Sequence, residues 1–309
     1  MGLRFTVLAS GSGGNASLVE ADNFGLLIDA GIGPRMLTQR LAAVGQSWAA
    51  VNAVLLTHTH TDHWKDRTLA HLHRRNVPFY CHGDHVPFLE YYSPAFRDLA
   101  AAELVRSFDA HRSFEIAPGL RCQPLPLRHD CGATFGFRIE GGHDLFGQPA
   151  ALAYVADLGC WDDALAQRLA DVDLLAVEFN HDVYLENSSG RSPMLIARVL
   201  GDDGHLSNEQ AAALVRAVLA RSPAGRLRHL VQLHLSRECN KPSLARETLR
   251  ALLAELNVNA SVHTADQYVP GTPLDLRTPV GKRRQPRSLN GRARLEKTVI
   301  EPWLPGLEG

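Results

Sequence analysis

Three imidazoles and a carboxylate fall within six residues, His58-Thr59-His60-Thr61-Asp62-His63, straight after the apolar run Val54-Leu55-Leu56. The run is bounded by polar residues and too short for a helix, so it reads as a buried strand. If the chain stays extended past Thr57, His58 and His60 project to the same side, because side chains alternate with period two. Two imidazoles on one side can grip one metal, and imidazole suits Zn, Mn, Fe or Ni. Asp62 and His63 follow where a turn or helix begins and can aim at a second cation. Two metals about 3.5–4 Å apart can hold a hydroxide and clamp a phosphoryl or carbonyl oxygen. The alternative is a polar loop with chance histidines. Four ligand-type residues in H-x-H-x-D-H spacing behind a buried strand argue against it.

The elements that would position further donors recur along the chain. Residues 3–8 alternate as a strand, and the turn Ser10-Gly11-Ser12-Gly13-Gly14-Asn15 leads to returning strands at 18–20 and 25–28. The glycine-rich turn lacks the G-K-[ST] ending of a P-loop. A hairpin connection is its plain reading, and a phosphate cradle of backbone N–H groups is the functional one. Asp29 ends the third strand, either as a turn former or as a carboxylate that orients a ligating histidine. Residues 34–44 form an amphipathic helix closed by Gly45, 65–75 a second helix and 77–80 a short strand. The span 91–110 reads as irregularly helical. His71, His73, His82 and His85 read as structural or solvent-facing.

Further on, an apolar strand over 120–127 leads to His129. A histidine there is commonly a satisfied core residue, but a third nitrogen is what the first metal lacks. The strand 151–156 ends at Asp157, placed to bridge two cations. Capping the next helix is the other reading of Asp157, although Asp162 or Asp163 would cap it better. The strand 172–178 finishes in Glu178-Phe179-Asn180-His181-Asp182, read as a polar loop beside the site. A helix over 192–199 precedes Gly204-His205-Leu206-Ser207-Asn208. There Ser207 and Gln210 make a capping box, which leaves His205 unexplained. The strand 230–233 ends at His234, 242–256 is a closing helix, and 260–262 a final edge strand.

Composition sets the bounds. The 309 residues are 45% hydrophobic and 21% charged with a formal net charge of −1, so no global field points to nucleic acid or membrane. No run approaches the roughly 18 apolar residues of a membrane span, and residues 1–7 enter a strand without a signal-peptide pattern. Five scattered cysteines without C-x-x-C suit a reduced, cytoplasmic chain.

The succession Asp29, His58-x-His60-x-Asp62-His63, His129, Asp157 and His234 resembles the ordered motifs of the metallo-β-lactamase-fold metallohydrolases. Within them the chain is similar to the YycJ-like (WalJ) group of bacterial DNA exonucleases. The matching stretches are Ser10–Asn15, Asp29-Ala30-Gly31, Thr57–His63, Glu178–Asp182, Gly204–Asn208 and His234-Leu235-Ser236-Arg237-Glu238-Cys239-Asn240. Departures are the stretch from Ser192 to Arg198, where the group carries Tyr-Pro and a lysine, and Cys239, where it carries asparagine. The resemblance implies an α/β (α+β) four-layer αβ/βα sandwich as one catalytic domain over residues 1–269, with a basic tail over 270–309. It implies two divalent metal ions, zinc first and manganese as the alternative. His58, His60 and His129 would hold one, Asp62, His63 and His234 the other, with Asp157 bridging.

The implied reaction is phosphodiester hydrolysis by a metal-bridging hydroxide, with DNA as the substrate. Asp62 would orient the nucleophile and His205 would act as the acid or rival His234 as a ligand. Asp29, Ser10, Ser12, Asn15 and His181 would lie in the surrounding shell or touch substrate. A small cyclic phosphodiesterase, or an ester or lactone hydrolase, keeps the metals and changes the substrate. A nucleic-acid-binding module with an inactive site is the reading from another class. In the tail, Arg277, Lys282, Arg283, Arg284, Arg287, Arg292, Arg294 and Lys297 form either a solvated run or an electrostatic arm for nucleic acid.

Overall fold

The computed structural model describes residues 2–143 and 148–276. The first half of the chain forms β1 (Leu3–Ala9), β2 (Ala16–Ala21), β3 (Phe24–Ile28), α1 (Pro34–Ala43), β4 (Ala53–Leu55), α2 (Asp66–Arg74), β5 (Phe79–His82), α3 (Val86–Tyr92), α4 (Pro94–Ala101) and β6 (Val105–Phe108). The second half follows with β7 (Phe114–Ala117), β8 (Leu120–Leu127), β9 (Thr134–His143), β10 (Pro149–Val155), α5 (Asp163–Leu169), β11 (Leu174–Glu178), α6 (Val183–Asn187), α7 (Pro193–Leu200), α8 (Asn208–Ala220), β12 (His229–Leu233), α9 (Pro242–Glu255), β13 (Ser261–Thr264) and β14 (Leu274–Asp275).

These strands make two sheets, ordered β14-β1-β2-β3-β4-β5-β6 and β13-β12-β11-β10-β9-β8-β7. Each half runs an antiparallel meander and then switches to parallel crossovers, at β3–β4 in one sheet and β10–β11 in the other. The halves share this plan although the sequence carries no visible repeat.

Period-two alternation explains the layers. In β4, Ala53 and Leu55 face the core between the sheets, while Val54 faces the helices with Leu37, Leu41, Leu69 and Phe96. In β11, Leu174 and Ala176 face the same inner core, and Leu175 and Val177 face α5, α8 and α9 through Leu165, Leu214 and Leu249. Both faces of the parallel strands are therefore buried, which is why they read as unbroken apolar runs rather than alternating ones. Helix, sheet, sheet, helix is the four-layer sandwich expected.

Three local readings change. The span 91–110 is not one helical stretch: Ser93 breaks it by capping α4 through its side chain, and Val105–Phe108 is a strand on β5. Exposed Arg106 and Ser107 deny that edge strand any apolar alternation. Asp182 caps the short helix α6 where a loop was expected. Residues 270–276, grouped with the tail on composition, return to the first sheet: Leu274 and Asp275 pair with Phe5 and Arg4, and Leu276 is buried. The basic run from Arg277 to Lys297 lies outside the described residues.

Candidate metal centre

β3 and β4 are parallel, and so are β10, β11 and β12. β8 is antiparallel to β9, which is antiparallel to β10, so β8 runs with them too. The carboxyl ends of β3, β4, β8, β10, β11 and β12 consequently share one edge of the sandwich. They present, just past their last residues or at them, Asp29, His58, His129, Asp157, Glu178 and His234. Asp29, Asp157 and His234 adopt left-handed backbone conformations with φ of 62°, 56° and 51°. Such residues cost of order 1–3 kcal/mol each and cluster at sites that the surrounding structure over-determines.

The donors meet in two groups. His58 Nε2 lies 3.1 Å from His60 Nδ1, which lies 3.2 Å from His129 Nε2. Ligand atoms on a tetrahedral zinc with bonds of about 2.0–2.1 Å sit roughly 3.3 Å apart, so this spacing suits one shared cation. In the second group Asp62 Oδ2 is 3.5 Å from both His63 Nε2 and His234 Nε2. Asp157 stands between the groups, with Oδ2 at 2.8 Å from His63 Nε2 and 4.0 Å from His58 Nε2, and Oδ1 at 3.0 Å from His234 Nδ1. All seven expected ligand residues are therefore together. His58, His60 and His129, and likewise Asp62, His63 and His234, can each close on one ion, and His58, His63 and Asp157 link the two sets.

Neighbours fix which ring nitrogens face inward. The Gly204 carbonyl can only accept, so His129 Nδ1 donates to it at 2.9 Å and Nε2 keeps its lone pair for the centre. Asp29 does the same for His63, accepting from Nδ1 at 2.7 Å. Thr57 Oγ1 donates to Asp29 and accepts from His58 Nδ1 at 3.0 Å. Carboxylates that tie down the far nitrogen set tautomer and ring direction and make the near nitrogen a better donor. Among the described residues, His234 Nε2 is a buried atom without a hydrogen-bond partner, and Asp157 Oδ2, although 2.8 Å from His63 Nε2, makes no well-directed hydrogen bond. Such orphans inside a ring of imidazoles and carboxylates match the needs of divalent cations and of little else.

The electrostatics show where positive charge is drawn in. Burial pushes His58 well below the usual histidine range, helped by the charge on His63, so it is a neutral donor. Burial also opposes charge on His63, but Asp29, Asp157 and Asp62 together raise it well above that range. Burial would raise Asp157, yet His234 and His63 hold it well below the usual carboxylate value. Four carboxylates, Asp29, Asp62, Asp157 and Glu178, thus converge where only positive charge can satisfy them.

The surrounding residues divide. Ser10 Oγ accepts the backbone N–H of His234 at 2.9 Å, pinning that histidine from the opposite sheet. Asn15 Nδ2 donates to Asp62 Oδ2 at 3.2 Å and lies 3.0 Å from His63 Nε2. The glycine turn is not a phosphate cradle. The amides of Gly11, Gly13, Gly14 and Asn15 are already taken by Asn15 Oδ1, Gln267 Oε1, Gly11 O and Asp62 O. The turn needs glycine for closeness: a Cβ on Gly14, at φ 144°, would come within 2.4 Å of Gly31 O. Ser12 lines a cavity of about 270 Å³ beside the centre, with His205, His234, Asn180 and Arg198. His181 is buried outside both groups and its ring nitrogens have no partner among the described residues; its backbone carbonyl accepts from Asn208 at 2.8 Å. His85, read as structural, is buried with Nε2 2.7 Å from the Ala133 carbonyl oxygen.

The residue that sequence reasoning missed is Glu178. Fully buried, its Oε1 accepts from His205 Nδ1 at 2.8 Å and lies 3.1 Å from His234 Nδ1, while Oε2 accepts the amides of Leu158 and Leu206. The signal was present, since Glu178 ends an apolar strand as Asp157 nearly does. His205 is raised above the ordinary histidine value, because Glu178 outweighs the burial that opposes its charge.

Asp29 gives a direct check on the orienting shell. Asp29→Asn keeps the side chain's shape and tolerates the left-handed backbone, but loses the charge behind His63. It is expected to weaken cation affinity by roughly 10–100-fold, read by competition with a chromophoric chelator. Unchanged affinity would mean that Asp29 only closes its turn.

Comparison with known proteins adds three findings. The family profile described as beta-lactamase superfamily domain matches residues 25–224. Exodeoxyribonuclease WalJ of Streptococcus pneumoniae is 28% identical over 285 residues, covering 91% of this chain and 98% of the relative, and Exodeoxyribonuclease YycJ of Bacillus anthracis is 26% identical over 283, covering 87% and 98%. Among solved structures, the metallo-beta-lactamase fold protein YhfI from Bacillus subtilis superposes with a TM-score of 0.62 at 17% identity, over 89% of this chain and all of that one.

Proposed function

Because this chain belongs to the beta-lactamase superfamily, we propose that it is a two-metal exodeoxyribonuclease cutting phosphodiester bonds at DNA ends. It is a hydrolase of the metallo-β-lactamase fold, and its relatives named exodeoxyribonuclease match it over nearly their full length. The observation that carries the reading is the joining of two donor groups through Asp157 at one sheet edge, beside a cavity. Asp62, His63 and His234 would hold one cation and His58, His60 and His129 the other. The nitrogen-rich set favours zinc, and the carboxylates leave manganese as the second choice.

When bound, the cations lower the pKa of water towards 7 and neutralise charge on the phosphodiester. This chain's own residues do the rest. Asp62, held by Asn15, orients the nucleophile on the open side of the centre. His205 is fixed through Nδ1 to Glu178 and lines the cavity, so its other nitrogen is placed to give the leaving oxygen a proton. The cavity is small for a drug-sized ligand; it suits a strand terminus, and it would equally admit a small cyclic phosphodiester, the second reading. Five free cysteines suit a cytoplasmic protein, and no described helix is long and apolar enough to cross a membrane. The basic run beyond residue 276 would add nonspecific attraction for DNA.

The test is digestion of linear DNA labelled at one end and blocked at the 5′ or 3′ terminus, beside closed circular DNA, a cyclic nucleotide and bis(4-nitrophenyl) phosphate, with and without chelator. Mononucleotide release from linear DNA, abolished by chelator and absent from circles, is expected. Turnover of the cyclic nucleotide with linear DNA untouched would replace the nuclease by the second reading.

A further inference from the structure

The cavity beside the metal centre is bounded on its far side by α7 and by two arginines, Arg191 and Arg198. They are not equivalent. Arg191 is turned to the protein through all three of its nitrogens: Nη1 reaches both oxygens of buried Glu186 at 3.2 and 3.0 Å, Nε reaches Glu238 at 3.1 Å, and Nη2 reaches Ser236 Oγ at 3.3 Å. That is a tie between α6 and the loop after β12. Arg198 donates only Nε, to Asp130 Oδ2. Its side chain is 55% exposed, and its two terminal NH2 groups have no partner among the described residues.

Asp130 does more than neutralise this guanidinium. Its Oδ1 lies 3.5 Å from His129 Nε2 and 3.6 Å from His60 Nε2. It therefore holds Arg198 at a fixed place relative to the first donor group. An arginine anchored through Nε presents its remaining fork in one plane, the geometry that meets two oxygens of a phosphate at once. Anchoring also removes part of the rotamer freedom that an exposed arginine would otherwise lose on binding.

We propose that Arg198 clamps the phosphate next to the one being cut, so that the site reads two successive phosphates of a strand, one over the metal centre and one at the mouth of the cavity. This deepens the nuclease reading and rests on it for the identity of the ligand. A substrate with a single phosphodiester would fill only the inner position, so Arg198 discriminates a chain terminus from an isolated phosphodiester. Lysine cannot replace it fully, because an ammonium offers a point charge in place of the planar fork.

The experiment is calorimetry on the zinc-loaded full chain with thymidine 3′,5′-bisphosphate, thymidine 5′-monophosphate and thymidine 3′-monophosphate. These probes ask for a second phosphate without presupposing cleavage polarity. The bisphosphate is expected to bind about tenfold or more tightly than either monophosphate, the worth of one charge-assisted pair. Arg198→Ala should erase that advantage, and Arg198→Lys should restore part of it. Equal binding of all three ligands by the wild type, or an advantage that survives Arg198→Ala, would overturn the clamp. Metal content is measured alongside. Zinc loss in Arg198→Ala and Arg198→Gln would mean that the residue acts through Asp130 on the first donor group, which also refutes the proposal. A wild type that shows the bisphosphate advantage but leaves linear DNA intact would remove the nuclease reading and keep the clamp.

Discussion

Asp157→Asn is expected to lose both cations and nearly all turnover while keeping the fold. Asparagine matches aspartate in shape and tolerates the left-handed backbone at this position, so the substitution isolates charge. Asp157 is 1% exposed and meets both donor groups: Oδ2 faces His58 of the first and His63 of the second, and Oδ1 faces His234 of the second, with His205 beside it. A partner that only orients a metal-binding residue is worth roughly 10–100-fold in metal affinity, so a carboxylate facing both groups is expected to cost more, about 10²-fold at least. Elemental analysis after dialysis, with hydrolysis measured on the same samples, gives the answer. A variant that retains both metals and wild-type turnover would show that Asp157 does not join the two groups, and the dinuclear reading would go with it.

His205→Ala is expected to separate chemistry from metal binding. His205 and His234 both lean on Glu178 and their rings lie 5.3 Å apart, so either could supply the last ligand on proximity alone. Their other nitrogens differ. His234 Nε2 is buried, without a hydrogen-bond partner among the described residues, and 3.5 Å from Asp62, inside the second group. His205 is held from behind by Glu178 and lines the cavity where a leaving group would depart. The variant should keep both cations and lose about 10²–10⁴-fold in kcat on DNA, the usual worth of one placed proton. On bis(4-nitrophenyl) phosphate the loss should be far smaller, because nitrophenolate leaves without protonation. Equal losses on both substrates would remove the general-acid role, and loss of a metal would make His205 a ligand.

Much of the centre was legible because its donors obey local rules. An apolar run that stops at a histidine or an aspartate marks a strand tip, and strand tips gather at one edge wherever crossovers are parallel. That logic places His58, His60, His129, Asp157 and His234. It passed over Glu178, which sits inside the apolar strand rather than beyond it and carries no histidine spacing to draw notice. It left two readings of the glycine turn, a plain hairpin connection and a phosphate cradle, and only the amide partners decide for the connection. β6 and β14 escaped for a related reason: short edge strands expose half their residues and give no period to find.

The sequence by itself determined the donor chemistry and the order of the strand tips, because each follows from spacing along one strand or helix, while the layered architecture came from the family resemblance. Only the tertiary structure decided which nitrogen of each ring faces inward, that Glu178 serves both His205 and His234, and that Arg198 keeps its fork free while Arg191 does not. Those are relations between residues tens to hundreds of positions apart. They are fixed by how two sheets pack face to face, and no local periodicity encodes that.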